Sequence, residues 1–242
     1  MENGMFRSIK IVLVAVMLLA TASFALDNGK KRERFVFHTF SLALPLDWNG
    51  TWKQYSNLVY EDEFTRDRDL KMDMTMGLQL KWTRDLVFQS GLSFEVGAGI
   101  GFVDFPVNDY KTDSRFDLNA KAGFGYAPFV NDFILAVHAI FGCDLKYLEE
   151  SYPIYDYTQE YSTFLFNFVG GLDVVLGYRI TERLGIDAGV DVTKNLFGFG
   201  NREHRYGDAS LDSDDLVTID YKLHHFFSGF QVVPHVGVSL RF

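Results

Sequence analysis

Residues 70–82 alternate without a break. Leu70, Met72, Met74, Met76, Leu78, Leu80 and Trp82 fall on one side of an extended chain, and Lys71, Asp73, Thr75, Gly77, Gln79 and Lys81 on the other. A period of two fits a β-strand and no helix, whose apolar positions recur every three or four residues. The alternation returns in 86–102, 116–126, 133–147, 164–178, 184–192 and 230–242. In most of these, the face opposite the apolar one is polar or glycine, as in Glu95, Gly97, Gly99 and Gly101. A first strand near 34–45 brings the count to about eight, an all-β chain of consecutive antiparallel strands.

Two places disturb the pattern. Phe35 and Phe37 face one way while Phe40, Leu42 and Leu44 face the other, so a bulge is expected in the first strand. Pro234 stands inside the last strand and has no N–H to donate, so a bulge or a missing ladder bond is expected there.

The connections differ in length. Thr83–Asp85, Ala127–Asp132 and Arg179–Arg183 are short, whereas 46–69, 103–114, 148–162 and 197–226 are long. Long alternating with short is the asymmetry of extracellular loops against periplasmic turns. Ahead of the first strand, Arg7 and Lys10 precede an apolar run from Ile11 to Ala22, and Ser23-Phe24-Ala25 offers a cleavage site. Residues 1–25 therefore read as a signal peptide, followed by a short polar periplasmic lead at 26–33 and the barrel at 34–242.

The contents of the two faces suggest which one meets lipid. The polar face is poor in long solvated side chains and rich in glycine, which suits a cramped lumen. Aromatic residues sit at strand ends: Trp82, Tyr126, Phe133, Tyr178 and Phe242 form a periplasmic girdle beside the short turns. Phe102, Phe116, Tyr147 and Phe164 form a second ring on the far side. Two aromatic belts around an aliphatic band are what a bilayer selects. The expected fold is a transmembrane up-and-down antiparallel β-barrel in lipid contact, in the bacterial outer membrane.

The chain ends Val236-Gly237-Val238-Ser239-Leu240-Arg241-Phe242, apolar residues alternating up to a terminal phenylalanine. With the strand count and loop asymmetry, it resembles the small eight-stranded outer-membrane barrels, the OmpA transmembrane domain, OmpX and OmpW among them. The resemblance covers nearly all of 34–242, and its motifs are generic. It implies recognition of the C-terminal strand by the barrel assembly machinery and carries over no member's activity.

Composition narrows the chemistry. A net charge of −9 argues against nucleic acid, and the single Cys143 forms no internal disulfide. No metal motif appears: Glu203-His204 lacks a second histidine, and His224-His225 point to opposite faces of a strand. Asp208, Asp212, Asp214 and Asp215 do not match an EF-hand, and no cofactor is expected. His204, Asp208 and Ser210 are the residues an outer-rim enzyme would use, a distant alternative to a non-enzymatic barrel.

The inward face is expected to hold a charge network of Lys71, Asp73, Lys81, Glu95, Arg115, Asp117, Lys121, Asp144, Lys146, Asp173, Asp187, Asp191, His235 and Arg241. About eight strands leave an interior that side chains just fill. Buried charges must pair, so the network is a plug, or else a narrow porin-like channel for small ions or solutes. Trp48, Trp52, Tyr55 and Tyr60 in the first loop, and Tyr152, Tyr155, Tyr157 and Tyr161 in the third, are candidates to bind an extracellular ligand, or to pack on one another. The expected role is that of a monomeric structural or surface-interaction protein.

Overall fold

The computed structural model describes residues 34–56, 68–106, 112–130, 132–154, 157–208 and 217–242; the expected signal peptide and polar lead lie outside them. The strands are β1 (Arg34–Ala43), β2 (Leu46–Ser56), β3 (Arg68–Phe88), β4 (Leu92–Pro106), β5 (Thr112–Tyr126), β6 (Phe129–Val130), β7 (Phe133–Ile154), β8 (Tyr157–Arg179), β9 (Leu184–Asp208), β10 (Val217–Phe226) and β11 (Phe230–Arg241). All pair antiparallel, and ten of them close a ring; the two-residue β6 only folds back on the start of β7.

The ring holds ten segments where about eight strands were expected, because the first and last passes are each interrupted. β1 meets β3 from Arg34↔Phe88 to Ala43↔Gln79, and β2 continues in the same register from Leu46↔Met76 to Gln54↔Arg68. Pro45 makes the break. Its carbonyl accepts from Gly77 N at 3.0 Å, but it has no N–H to return. In the last pass, β10 and β11 both pair with β9, one residue out of step across 227–229.

The expected bulge in β1 is absent, since its register against β3 is unbroken. The phase conflict resolves differently: Phe40, Leu42 and Leu44 are exposed outside, while Phe35 and Phe37 pack on Phe129 at 5.4 and 5.7 Å. Pro234 causes no register shift either. It accepts from Leu44 N at 2.9 Å, and the reciprocal bond lacks a donor.

Thr83–Asp85 is not a turn. β3 runs through it with its pairing to β1 and β4 unbroken, and the chain reverses at 89–91, where Gly91 has φ +85°. Polar composition mimicked a turn there, but only glycine adopts that φ without cost. The stretches expected as long loops are largely strand. β7 and β8 stay in one register from Phe133↔Tyr178 to Ile154↔Tyr157, β9 extends to Asp208, and 46–56 forms β2.

The barrel is apolar outside and polar inside. Leu80, Phe94, Phe102, Phe124, Phe141, Leu172, Leu176 and Val236 are each more than half exposed. Ser93, Glu95, Asp117, Asn119, Lys121, Asp144, Lys146, Asp173 and Asp191 are buried. A water-soluble barrel would put these two sets the other way round.

Candidate functional site in the barrel interior

Inward-pointing residues stack in three layers along the barrel axis. Nearest the short turns is an apolar layer of Val87, Ala127 and Ala136, packed by Phe37, Ile134 and Val175. At the opposite end, Trp52, Leu148, Leu165 and Leu223 form a second apolar layer, backed by Leu70 and Met72. Charged and amide side chains fill the space between.

The lower part of the polar layer is built on His138 and Asp191. His138 Nε2 lies 2.8 Å from Ser93 Oγ, and Nδ1 lies 3.1 Å from Glu95 Oε2 and 3.9 Å from Asp173 Oδ2. Asp191 takes two ammonium groups, Lys81 at 2.7 Å and Lys121 at 3.1 Å, while His235 stands 3.9 Å away. In the upper part, Lys146 Nζ reaches Asp47 at 2.8 Å, Asp144 at 3.2 Å and Asn49 at 3.4 Å. Gln231 donates to the other Asp47 oxygen at 2.7 Å. Above them, His225 Nε2 lies 2.8 Å from Asn167 Oδ1, and its ring packs edge-on to Trp52.

Of the residues expected in the lumen, Lys81, Glu95, Asp117, Lys121, Asp144, Lys146, Asp173, Asp187, Asp191 and His235 are buried inside. Two lie elsewhere. Lys71 is exposed, because Gly50 (φ +73°) breaks the phase of β2 and turns Trp52 inward with its partner Leu70. Arg241 stays at the rim, its guanidinium 3.9 Å over the Phe35 ring. The side chains of Asp73 and Arg115 lie outside the described residues.

Parity with Lys81 and Glu95 places Asp85 and Ser93 on the inner face, so these two were readable from the sequence. Asp47 and Asn49 were hidden in a segment taken for a loop. Among the described interior groups, Asp47, Asp85, Glu95, Asp117, Asp144, Asp173, Asp187 and Asp191 stand against Lys81, Lys121 and Lys146. Carboxylates are in excess.

Ser93, His138 and Glu95 are strung like a nucleophile, base and acid. Ser93 is 1% exposed, so no substrate reaches its hydroxyl without opening the barrel. A cleft open to solvent at the short turns has Thr39, Asp85 and Asp187 among its lining residues.

The expected girdle residues Tyr126, Phe133, Tyr178 and Phe242 are exposed outward, with Phe133 and Tyr178 4.9 Å apart. Trp82 is half-buried and packs on His38, which also meets Phe242 edge-on. Most described aromatics of the expected loops pack on neighbours: Trp48 on Phe230, Tyr55 on His224 and Tyr161 on His204. Arg202 lies 4.1 Å over the Tyr161 ring, which joins the outer-rim candidate His204 to that stack. Tyr60, Tyr155, Ser210, Asp212, Asp214 and Asp215 lie outside the described residues, as do the side chains of Tyr152, Tyr157 and Asp208.

No protein-family model and no curated protein matches the sequence. Among solved structures, the chain is similar to the outer membrane protein OprG of Pseudomonas aeruginosa, at 13% identity and TM-score 0.49, covering 88% of this chain and 98% of that one. It is also similar to Neisserial surface protein A, at 10% identity and TM-score 0.45, covering 87% and 98%. A third is the outer membrane protease OmpT of Escherichia coli, at 10% identity and TM-score 0.40, covering 89% and 99%.

Proposed function

We propose that this chain is a bacterial outer-membrane β-barrel with a filled, non-conducting interior, and that it serves as a structural or surface-interaction protein without catalysis. The observation carrying this is the apolar layer of Trp52, Leu148, Leu165 and Leu223 across one end of the polar interior. The cleft from the other end is lined by Asp85 and Asp187 but by none of Lys81, Lys121 and Lys146, which tie opposing walls together. A solute entering by the cleft meets paired charges and then hydrocarbon. The ion pairs are thus a plug.

Counted as crossings of the bilayer, the barrel is eight-stranded: β1 with β2 makes one pass, and β10 with β11 another. The short turns lie in the periplasm and the extended strands outside. A bilayer needs about 9–11 residues of tilted strand. β7, β8 and β9 have 22, 23 and 25 residues. The surplus of about a dozen residues reaches roughly 28 Å past the hydrocarbon core at a 45° tilt. The inner side of this wall, lined above Leu148 and Leu165 by Glu150, Tyr161, Arg202 and His204, is the surface an extracellular ligand meets; the chain works as a monomer in lipid.

Planar-bilayer recording of the folded protein tests the reading. Silence at all voltages is expected. Reproducible unitary steps would replace the plug with a narrow channel for small ions.

A further inference from the structure

We propose that Asp85, Glu95 and His138, with Asp173 beside them, form a binding site for one divalent transition-metal ion inside the barrel. A donor atom from each of the first three lies within 4.8 Å of the others. Around a tetrahedral ion with bonds of about 2.0–2.1 Å, donor atoms stand roughly 3.3 Å apart. His138 Nδ1 is 3.1 Å from Glu95 Oε2 and 3.9 Å from Asp173 Oδ2. One imidazole with carboxylates is a donor set for an ion of Zn2+ type rather than for Ca2+ or Mg2+, which take oxygen alone.

The buried atoms point to an occupant. His138 Nδ1 stands 3.1 Å from Glu95 Oε2 without the alignment of a full hydrogen bond, a relation that two ligands flanking an ion have. Asp173 is 1% exposed, and Lys81 and His138 approach its two carboxylate oxygens only to 4.0 and 3.9 Å. At the other ring nitrogen, Nε2, Ser93 Oγ stands at 2.8 Å and Asp85 Oδ1 at 3.8 Å, so Asp85 closes the set from the cleft side by a side-chain turn while Ser93 holds the imidazole in place.

Charge points the same way. Lys81 and Lys121 both make their shortest ion pair with Asp191. Asp173, Asp191 and His235 also bring donor atoms together, but those two ammonium groups already hold Asp191. Asp85, Glu95, Asp173 and Asp187 then share His138 and a 4.0 Å approach of Lys81 to Asp173 Oδ1. A bound cation would relieve such a crowding of buried carboxyl groups, which otherwise hold protons. The route in exists, because the cleft at the short turns reaches Asp85, whose side chain is 20% exposed.

The test uses the full chain folded in detergent micelles, cleared of metal with a chelator and dialysed against Zn2+. One Zn2+ per chain is expected, with affinity falling at least about tenfold in His138→Gln and in Asp85→Asn. Co2+ in place of Zn2+ gives a visible absorption band that both variants lose. His204→Gln and His224→Gln, at the other end of the barrel, keep the ion and the band. Folding of each variant is read from its heat-dependent gel mobility. Should His138→Gln fail to fold, Asp85→Asn decides, since it keeps the shape of the side chain and removes only its charge. Wild-type protein that takes up no Zn2+, or uptake that follows His204 instead of Asp85 and His138, overturns the proposal.

Discussion

Lys81 Nζ lies 2.7 Å from Asp191 Oδ1 and so ties β3 to β9, two strands that do not pair with each other. Lys121 brings β5 to the same carboxylate. Asp191→Asn leaves two buried ammonium groups without their counter-charge, an arrangement that costs about 3–5 kcal/mol. Urea unfolding of the protein in lipid vesicles measures it. Lys81→Met is expected to cost less, because Asp191 keeps Lys121. Equal losses in the two variants would mean that Asp191 does not join the walls.

The apolar exterior makes a prediction that separates lipid from water as the surrounding solvent. Leu80 is 64% exposed and pairs with Ile100 and Leu42 in the middle of the outer band. Arginine at the bilayer midplane of a barrel costs about 2–4 kcal/mol. Leu80→Arg should therefore destabilise the vesicle-embedded protein by that amount. A soluble barrel would lose no more than about 0.5 kcal/mol at so exposed a position. The smaller figure would place this face in water.

Leu80 also illustrates how much was legible in the sequence. Its side followed from period-two alternation alone, as did the inner placement of Lys81, Asp117, Lys121, Asp144, Asp173 and Asp191. Alternation reports a face only while the phase holds. Gly50 resets it on β2, which is why Lys71 was assigned to the lumen and Trp52 to a loop. The ends of strands were less readable still. Outer stretches such as Tyr157–Tyr161 and Arg202–Tyr206 are polar on both faces, so nothing in their pattern separates projecting strand from loop. His138 was visible on an inner face, but its link to Glu95 joins β7 to β4, and no local pattern encodes a contact across a lumen.

Gly91 is where the β3–β4 hairpin depends on one residue. Its φ of +85° is accessible to glycine, and a Cβ there would collide with the Tyr126 ring. Gly91→Ala is expected to cost about 1–3 kcal/mol. It should also displace Tyr126 from the girdle into water, giving a blue-shifted tyrosine signal in near-ultraviolet difference spectra. A variant as stable as the parent, with Tyr126 unmoved, would show that the turn relaxes freely.

The last prediction concerns the two barriers placed in series by the fold. Trp52 is 1% exposed and lies over His225, and Lys146 below it fills the space between Asp47, Asp144 and Asn49. Trp52→Ala removes a large apolar body, at about 3–5 kcal/mol, and opens the outer layer to water. The ion-paired layer still blocks the lumen, so this variant should remain silent in planar bilayers. Adding Lys146→Ser removes the side chain that spans the interior and leaves Asp47 and Asp144 facing hydrated space. Cation-selective steps are then expected, because carboxylates outnumber ammonium groups along the route. Conductance from Trp52→Ala alone would locate the barrier in the apolar layer. Silence of the folded double variant would mean that neither layer is the seal, and the plug would have to lie with Asp191 and its two lysines.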